Sequence, residues 1–164
     1  MINLQAFCAN SYEERSYLRQ PFMHRGYQYA TNGHIIVRIP APGTESINFP
    51  FKPGSAAEGL FADSTHAAHS PLPAYSLGVI CKICAGTGQN QARPGSLREC
   101  ALCGGYGSFF KALNTPIAVF DVRYFNWISK LPNARIALQP FPKPSHFIFD
   151  GGEGLLAPID PETL

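Results

Sequence analysis

The sequence predicts a single α+β domain of two halves, each a helical segment with antiparallel strands, and a cysteine-rich insertion between them. Three observations carry this expectation. The order helix, strands, long interruption, strand, helix, strands runs along the chain. Tight-turn signals stand at Thr31-Asn32-Gly33 and Asp150-Gly151-Gly152. Two Cys-x-x-Cys pairs fall between the halves. At 164 residues the chain suits one ordinary core. The expected boundaries are 1–78 for the first half and its linker, 79–110 for the insertion and 111–164 for the second half.

Each element has a local signal. Leu4, Phe7 and Cys8 fall at i, i+3 and i+4, the spacing of a short amphipathic helix, which Asn10 and Ser11 close. Tyr17 to Phe22 and Gly26 to Thr31 carry recurring aromatic and β-branched residues, which predicts two strands. Asn32-Gly33 tolerates the positive φ of a hairpin turn, so His34 to Ile39 reads as the next strand, with Ile35, Val37 and Ile39 on one face. Ile47 to Phe51 predicts a strand, and the Pro-, Gly-, Ser- and Ala-rich stretch from Gly54 to Pro73 predicts a loop or linker. In the second half, Pro116 to Phe120 predicts a strand and Asp121 a cap for a helix from Val122 to Leu131. Tyr124, Trp127, Ile128 and Leu131 form the apolar stripe of that helix, and Pro132-Asn133 ends it. Ala134 to Gln139, His146 to Asp150 and Leu155 to Pro158 complete the strands.

Composition excludes several classes. No run of eighteen apolar residues is present, so no membrane helix is expected. Glu13 and Glu14 near the start, without a basic-then-apolar run, point away from a signal peptide and toward the cytoplasm. A net charge of +2 and a pI near 8.3 are mildly basic and identify no partner class.

The cysteines are more specific. Cys81 and Cys84 are separated by fifteen residues from Cys100 and Cys103, giving C-x2-C-x15-C-x2-C. Two residues between thiolates let one turn aim both at an ion, and the spacer lets two such turns meet as a tetrahedral shell. Gly86 and Gly88 follow the first pair at the offsets where Gly105 and Gly107 follow the second. The expectation is one structural zinc per chain held by Cys81, Cys84, Cys100 and Cys103. Ordinary cysteines and a redox dithiol are the alternatives. Two matched pairs leave no open coordination position, which favours structure over catalysis.

The repeated C-x-x-C-x-G-x-G resembles the cysteine-rich zinc finger of DnaJ-type co-chaperones, over residues 79 to 110. That family has four repeats making two zinc centres; two repeats imply one. A second resemblance covers the flanking segments, which look like a domain of the bacterial DNA polymerase III β sliding clamp. The matching residues are Ser11, Glu14 one register off, Arg15 and Leu18, then Ala30, Thr31, Asn32, Gly33 and His34. The second half FDVRYFNWISKLPNARIAL, ending DGGEGLLAPI, is similar to the second half of such a domain. The resemblance implies a clamp-like fold. A clamp ring takes six such domains with basic inner helices, whereas this chain has material for one, and residues 2 to 10 contain no Lys or Arg.

Other residues have competing readings. Lys82, Arg93, Arg98 and Lys111 surround the cysteine segment with Tyr106, Phe109 and Phe110 interleaved. They make a surface for nucleic acid or an acidic partner, or they balance the doubly negative four-thiolate centre. His66 and His69 form an H-A-A-H pair that offers metal ligands or a solvated loop. His34 lacks a nearby nucleophile and reads as a turn or core residue, and Cys8 reads as a small core residue.

The functional expectation is a cytoplasmic, non-enzymatic zinc-binding interaction module, linked to DNA replication or nucleic-acid processing through the clamp resemblance. A DnaJ-like module that binds polypeptide is the alternative, and a hydrolase of unidentified site is a third class. Candidate partners are a protein, a nucleic acid or a second copy of the chain, with no membrane. Exposed aromatic surface on the finger favours polypeptide; a basic stripe continuous with the flanking domain favours nucleic acid.

Overall fold

A computed structural model describes residues 2–11, 13–43, 51–64, 68–89 and 99–164. It shows a mixed α+β chain with more strand than helix. A 3-10 helix at Leu4–Phe7 buries Leu4 and Phe7, and a second at Ser16–Leu18 buries Leu18. Then come β1 (Phe22–His24), β2 (Tyr27–Thr31), β3 (Ile35–Pro40), α1 (Phe51–Ser64) and β4 (Ser70–Pro71). After the cysteine segment follow β5 (Ala112–Asn114), β6 (Val119–Asp121), α2 (Val122–Ile128), β7 (Arg135–Ala137), β8 (Ser145–Phe149) and β9 (Gly152–Leu156).

The meander β1-β2-β3 joins the meander β9-β8-β7 through an antiparallel β3–β9 pair, and β4 adds to the far edge to complete a seven-stranded sheet. In the β2–β3 turn the Asn32 side-chain oxygen accepts the amides of His34 and Ile35 at 3.0 and 3.1 Å, and Gly33 takes φ 92°. That satisfies the turn's donors with a short side chain next to a residue without a Cβ.

Alternation divides β3 between two layers. Ile35 and Val37 join Phe120, Tyr124, Phe125, Ile128, Ile136, Phe147 and Leu156 in the main core, which α2 and the first 3-10 helix cover. On the other face, Phe22, Tyr29 and Leu155 pack against Ala57 and Phe61 of α1. Each large ring taken fully out of water stabilises the fold by about 1.5–3 kcal/mol. Asp121 caps α2 by accepting the Arg123 amide at 3.0 Å.

Three expectations need correction. Tyr17 to Phe22 is not one strand: the chain makes the 3-10 turn at Ser16–Leu18 and enters β1 only at Phe22. Gly54 to Ser64 is helical where a linker was expected, because Ala57 and Phe61, four residues apart, reach the sheet together. β5 was not anticipated, and α2 proper ends at Ile128, before Leu131. The strand expected at Ile47 to Phe51 falls mostly outside the described residues, and Phe51 begins α1. No helix among the described residues is long and apolar enough to cross a membrane.

Candidate metal centre

The segment between β4 and β5 folds into two knuckles related as near copies. Gly86 donates to the Cys81 carbonyl at 3.2 Å and Gly105 to the Cys100 carbonyl at 3.1 Å. The Thr87 and Tyr106 amides repeat the match, reaching the carbonyls of Cys84 and Cys103 at 2.9 and 3.1 Å. The knuckles also bond reciprocally: the Cys81 amide donates to Gly107 at 2.9 Å and the Cys100 amide to Gly88 at 2.8 Å.

The second glycine of each knuckle explains the repeated spacing. Gly88 and Gly107 have φ of 74° and 77°, in the left-handed region. A Cβ on Gly88 would collide with the Gly105 carbonyl oxygen, and one on Gly107 with that of Gly86. Each knuckle thus lays a side-chain-free backbone on its mate, which brings the cysteine pairs face to face.

All four sulfurs are buried and lie within 4.8 Å of one another. Cys81 Sγ is 3.8 Å from Cys100 Sγ, and Cys84 Sγ is 3.7 Å from Cys103 Sγ. A disulfide needs about 2.05 Å, so all four are free thiols. A tetrahedron with metal–sulfur bonds of about 2.3 Å has edges of about 3.8 Å, so the set can hold a metal ion and is compatible with zinc. The Gly88 and Gly107 amides point at Cys84 Sγ and Cys103 Sγ, each at 3.3 Å, and supply donors to thiolate charge. Burial opposes ionisation of Cys84, but the Gly88 amide and hydrogen bonds from Cys81 and Cys103 outweigh it and bring the thiol to about 7. Burial pushes Cys103 up to about 12. Four adjacent thiols cannot all ionise unaided, and a cation held by the set would offset that charge.

Tyr106 fastens this unit to the sheet domain. Its ring stacks on Trp127 at 5.3 Å with 7° between planes, and its hydroxyl lies 3.4 Å from that of Tyr124. The Arg123 guanidinium sits 4.0 Å over the same ring while pairing with Asp121. Sequence reasoning gave Tyr106 no docking role. Its signal was the break in the repeat, a large aromatic where the first knuckle has Thr87.

Two of the four basic residues are described. Lys82 is exposed, and Lys111 is exposed with its Nζ donating to Ser76 Oγ at 2.5 Å. Arg93, Arg98 and His66 lie outside the described residues. His34 is an exposed turn residue stacked on Tyr124 at 6.1 Å. Cys8 is a core residue whose thiol burial pushes up to about 11.

No protein-family description matches the chain, no curated protein matches it significantly, and no solved structure matches it significantly.

Proposed function

We propose that the chain is a non-enzymatic interaction module built around one structural zinc ion, with a protein partner bound through the finger. The observation that carries this reading is the finger's apolar exterior. Ile83 and Leu102, at matching positions in the two knuckles, are 65% and 58% exposed. Val79, Ile80, Phe109 and Phe110 are exposed as well. Large apolar side chains held out to water by a metal-fixed scaffold are what a protein interface buries. Four thiolates occupy every position of a tetrahedral ion, which leaves none for a reacting water and supports a structural role. The ligand set favours zinc because soft thiolates in a tetrahedral array suit it.

A nucleic-acid role is the second reading, favoured by exposed Lys82 and Lys111 at the two ends of the described finger with Phe109 and Phe110 beside them. A setting in DNA replication rests on the clamp resemblance alone.

Substitution separates the two. Ile83→Asp and Leu102→Asp are expected to weaken binding of a reduced, carboxymethylated polypeptide, followed by fluorescence anisotropy, by about tenfold or more. Zinc content should stay at one per chain, because neither side chain is a ligand. Lys82→Ala and Lys111→Ala should leave that binding unchanged. Single-stranded DNA binding that the lysine changes weaken, with the salt slope falling by about one per lost contact, would instead favour nucleic acid.

A further inference from the structure

Away from the cysteines, on the α1 face of the sheet, a chain of polar side chains runs from the sheet edge inward. His69 Nε2 lies 2.8 Å from His146 Nδ1, and His146 Nε2 lies 2.7 Å from Glu153 Oε2. Glu153 Oε1 accepts from Arg38 Nε at 2.8 Å, and Arg38 Nη1 donates to the Tyr29 hydroxyl at 3.3 Å. Arg38 is held between the rings of Tyr27 and Phe61, at 4.4 and 3.9 Å, and His146 is 3% exposed. His69 comes just before β4, which pairs with β7 at only Ser70↔Ile136 and Pro71↔Arg135.

The charges fix the protons. His146 hydrogen-bonding and the Arg38 cation hold the Glu153 carboxyl below its usual range against the opposing effect of burial, so it remains an acceptor. His146 Nε2 therefore donates to it, and His146 Nδ1 and His69 Nε2 face each other as one donor and one acceptor. One added proton preserves this line, because one facing nitrogen keeps its lone pair. A second sets N–H against N–H across 2.8 Å.

We propose that His69 and His146 form a latch that holds β4 on the sheet edge while at most one ring is protonated and releases it when both are. Other attachments of this edge include the two register pairs, the Arg135 guanidinium, which donates to the His69 carbonyl at 2.9 Å, and Leu72, next to β4, packed against the main core. Arg135 from β7 is a cation that resists protonation of His69, whereas Glu153 from β9, paired with Arg38 from β3, opposes that effect. On α1, Glu58 is engaged with His24 and Arg25, and Asp63 is exposed. Burial, then the neighbouring His146 and Arg135, hold His69 below its ordinary value of 6.5. The released form thus binds the proton more readily than the latched one. The latch therefore weakens as pH falls below 6.5.

Hydrogen exchange on the zinc-loaded full chain at pH 7.5 and 5.0, corrected for intrinsic rates, tests the latch. The expected result is a loss of protection of about tenfold or more at the Ser70 amide of β4, since Pro71 carries none, and in its β7 partners, with β3, β8 and β9 unchanged. His69→Gln keeps a donor to His146 but cannot titrate, so it should abolish the pH dependence. Finger peptides in the same experiment report zinc loss separately. Imidazole nitrogen spectra at pH 7.5 supply a second measurement, with a neutral His69 ring as the expected state. Equal protection of Ser70 and the β7 partners at both pH values, unchanged pH dependence in the Gln variant, or a His69 ring protonated at pH 7.5 would each overturn the proposal.

Discussion

Cys100→Ser is expected to lower zinc from one ion per chain to near zero and to unfold both knuckles while the sheet domain persists. Among the described residues the knuckles have no apolar core of their own. Their buried cluster is the four cysteines, and their large aliphatic residues face water. Folding and metal binding are then one event, and structural zinc sites of this kind supply about 10–16 kcal/mol at neutral pH. The sheet domain draws on separate clusters around Phe120, Phe125 and Phe147 and around Tyr29 and Phe61. Metal analysis with hydrogen exchange on the variant should show loss of protection around Cys81 to Gly88 and Cys100 to Gly107 but not in β3, β8 and β9. Loss of protection throughout would contradict the division into domain and insertion. Tyr106 is the expected point of crosstalk, since it stacks on Trp127 of α2.

The second large effect is expected at a residue that touches no metal. Gly107→Ala places a Cβ against the Gly86 carbonyl oxygen and holds alanine at φ 77°. Backbone sits on both sides of this contact, so no side chain can yield. The left-handed conformation alone costs about 1–2 kcal/mol, and the displaced knuckle adds to that. A total of about 2 kcal/mol or more corresponds to roughly a thirtyfold loss of zinc affinity, measurable by competition with a chromogenic chelator. Gly59→Ala is the matched control. It lies on α1 with nothing within 4 Å of the added Cβ, and should leave zinc affinity unchanged.

These two expectations show what kind of information was legible in the sequence. The cysteine cluster and its glycines are local patterns, because each knuckle is specified within eight residues and the pairing of knuckles follows from their identity. The Asn32-Gly33 turn and the Asp121 cap were legible for the same reason: side chain and backbone partner lie within three residues. Alternation placed Ile35 and Val37 on the core face, where they are buried.

What was missed depends on distant partners. α1 is rich in Ala, Gly and Ser, a composition shared with linkers, and Ala57 and Phe61 gain a purpose only when β2 and β9 lie beneath them. The histidine chain joins positions 69, 146, 153 and 38, which no window along the sequence brings together. Its one trace is His146, a polar residue amid the apolar β8 pattern, and a buried position there demands a partner. The docking of Tyr106 on Trp127 likewise needed the fold, although the Thr87 to Tyr106 asymmetry marked the residue as different.

The central claim is that the four cysteines hold one zinc ion, on which the finger and its interaction surface depend. Zinc K-edge X-ray absorption on the purified, reduced chain measures this directly. The account predicts one zinc per chain in a single shell of four sulfurs at about 2.3 Å, with no shorter oxygen or nitrogen shell. A zinc shell containing nitrogen or oxygen, or a chain that takes up no metal and joins these cysteines as disulfides, would contradict it.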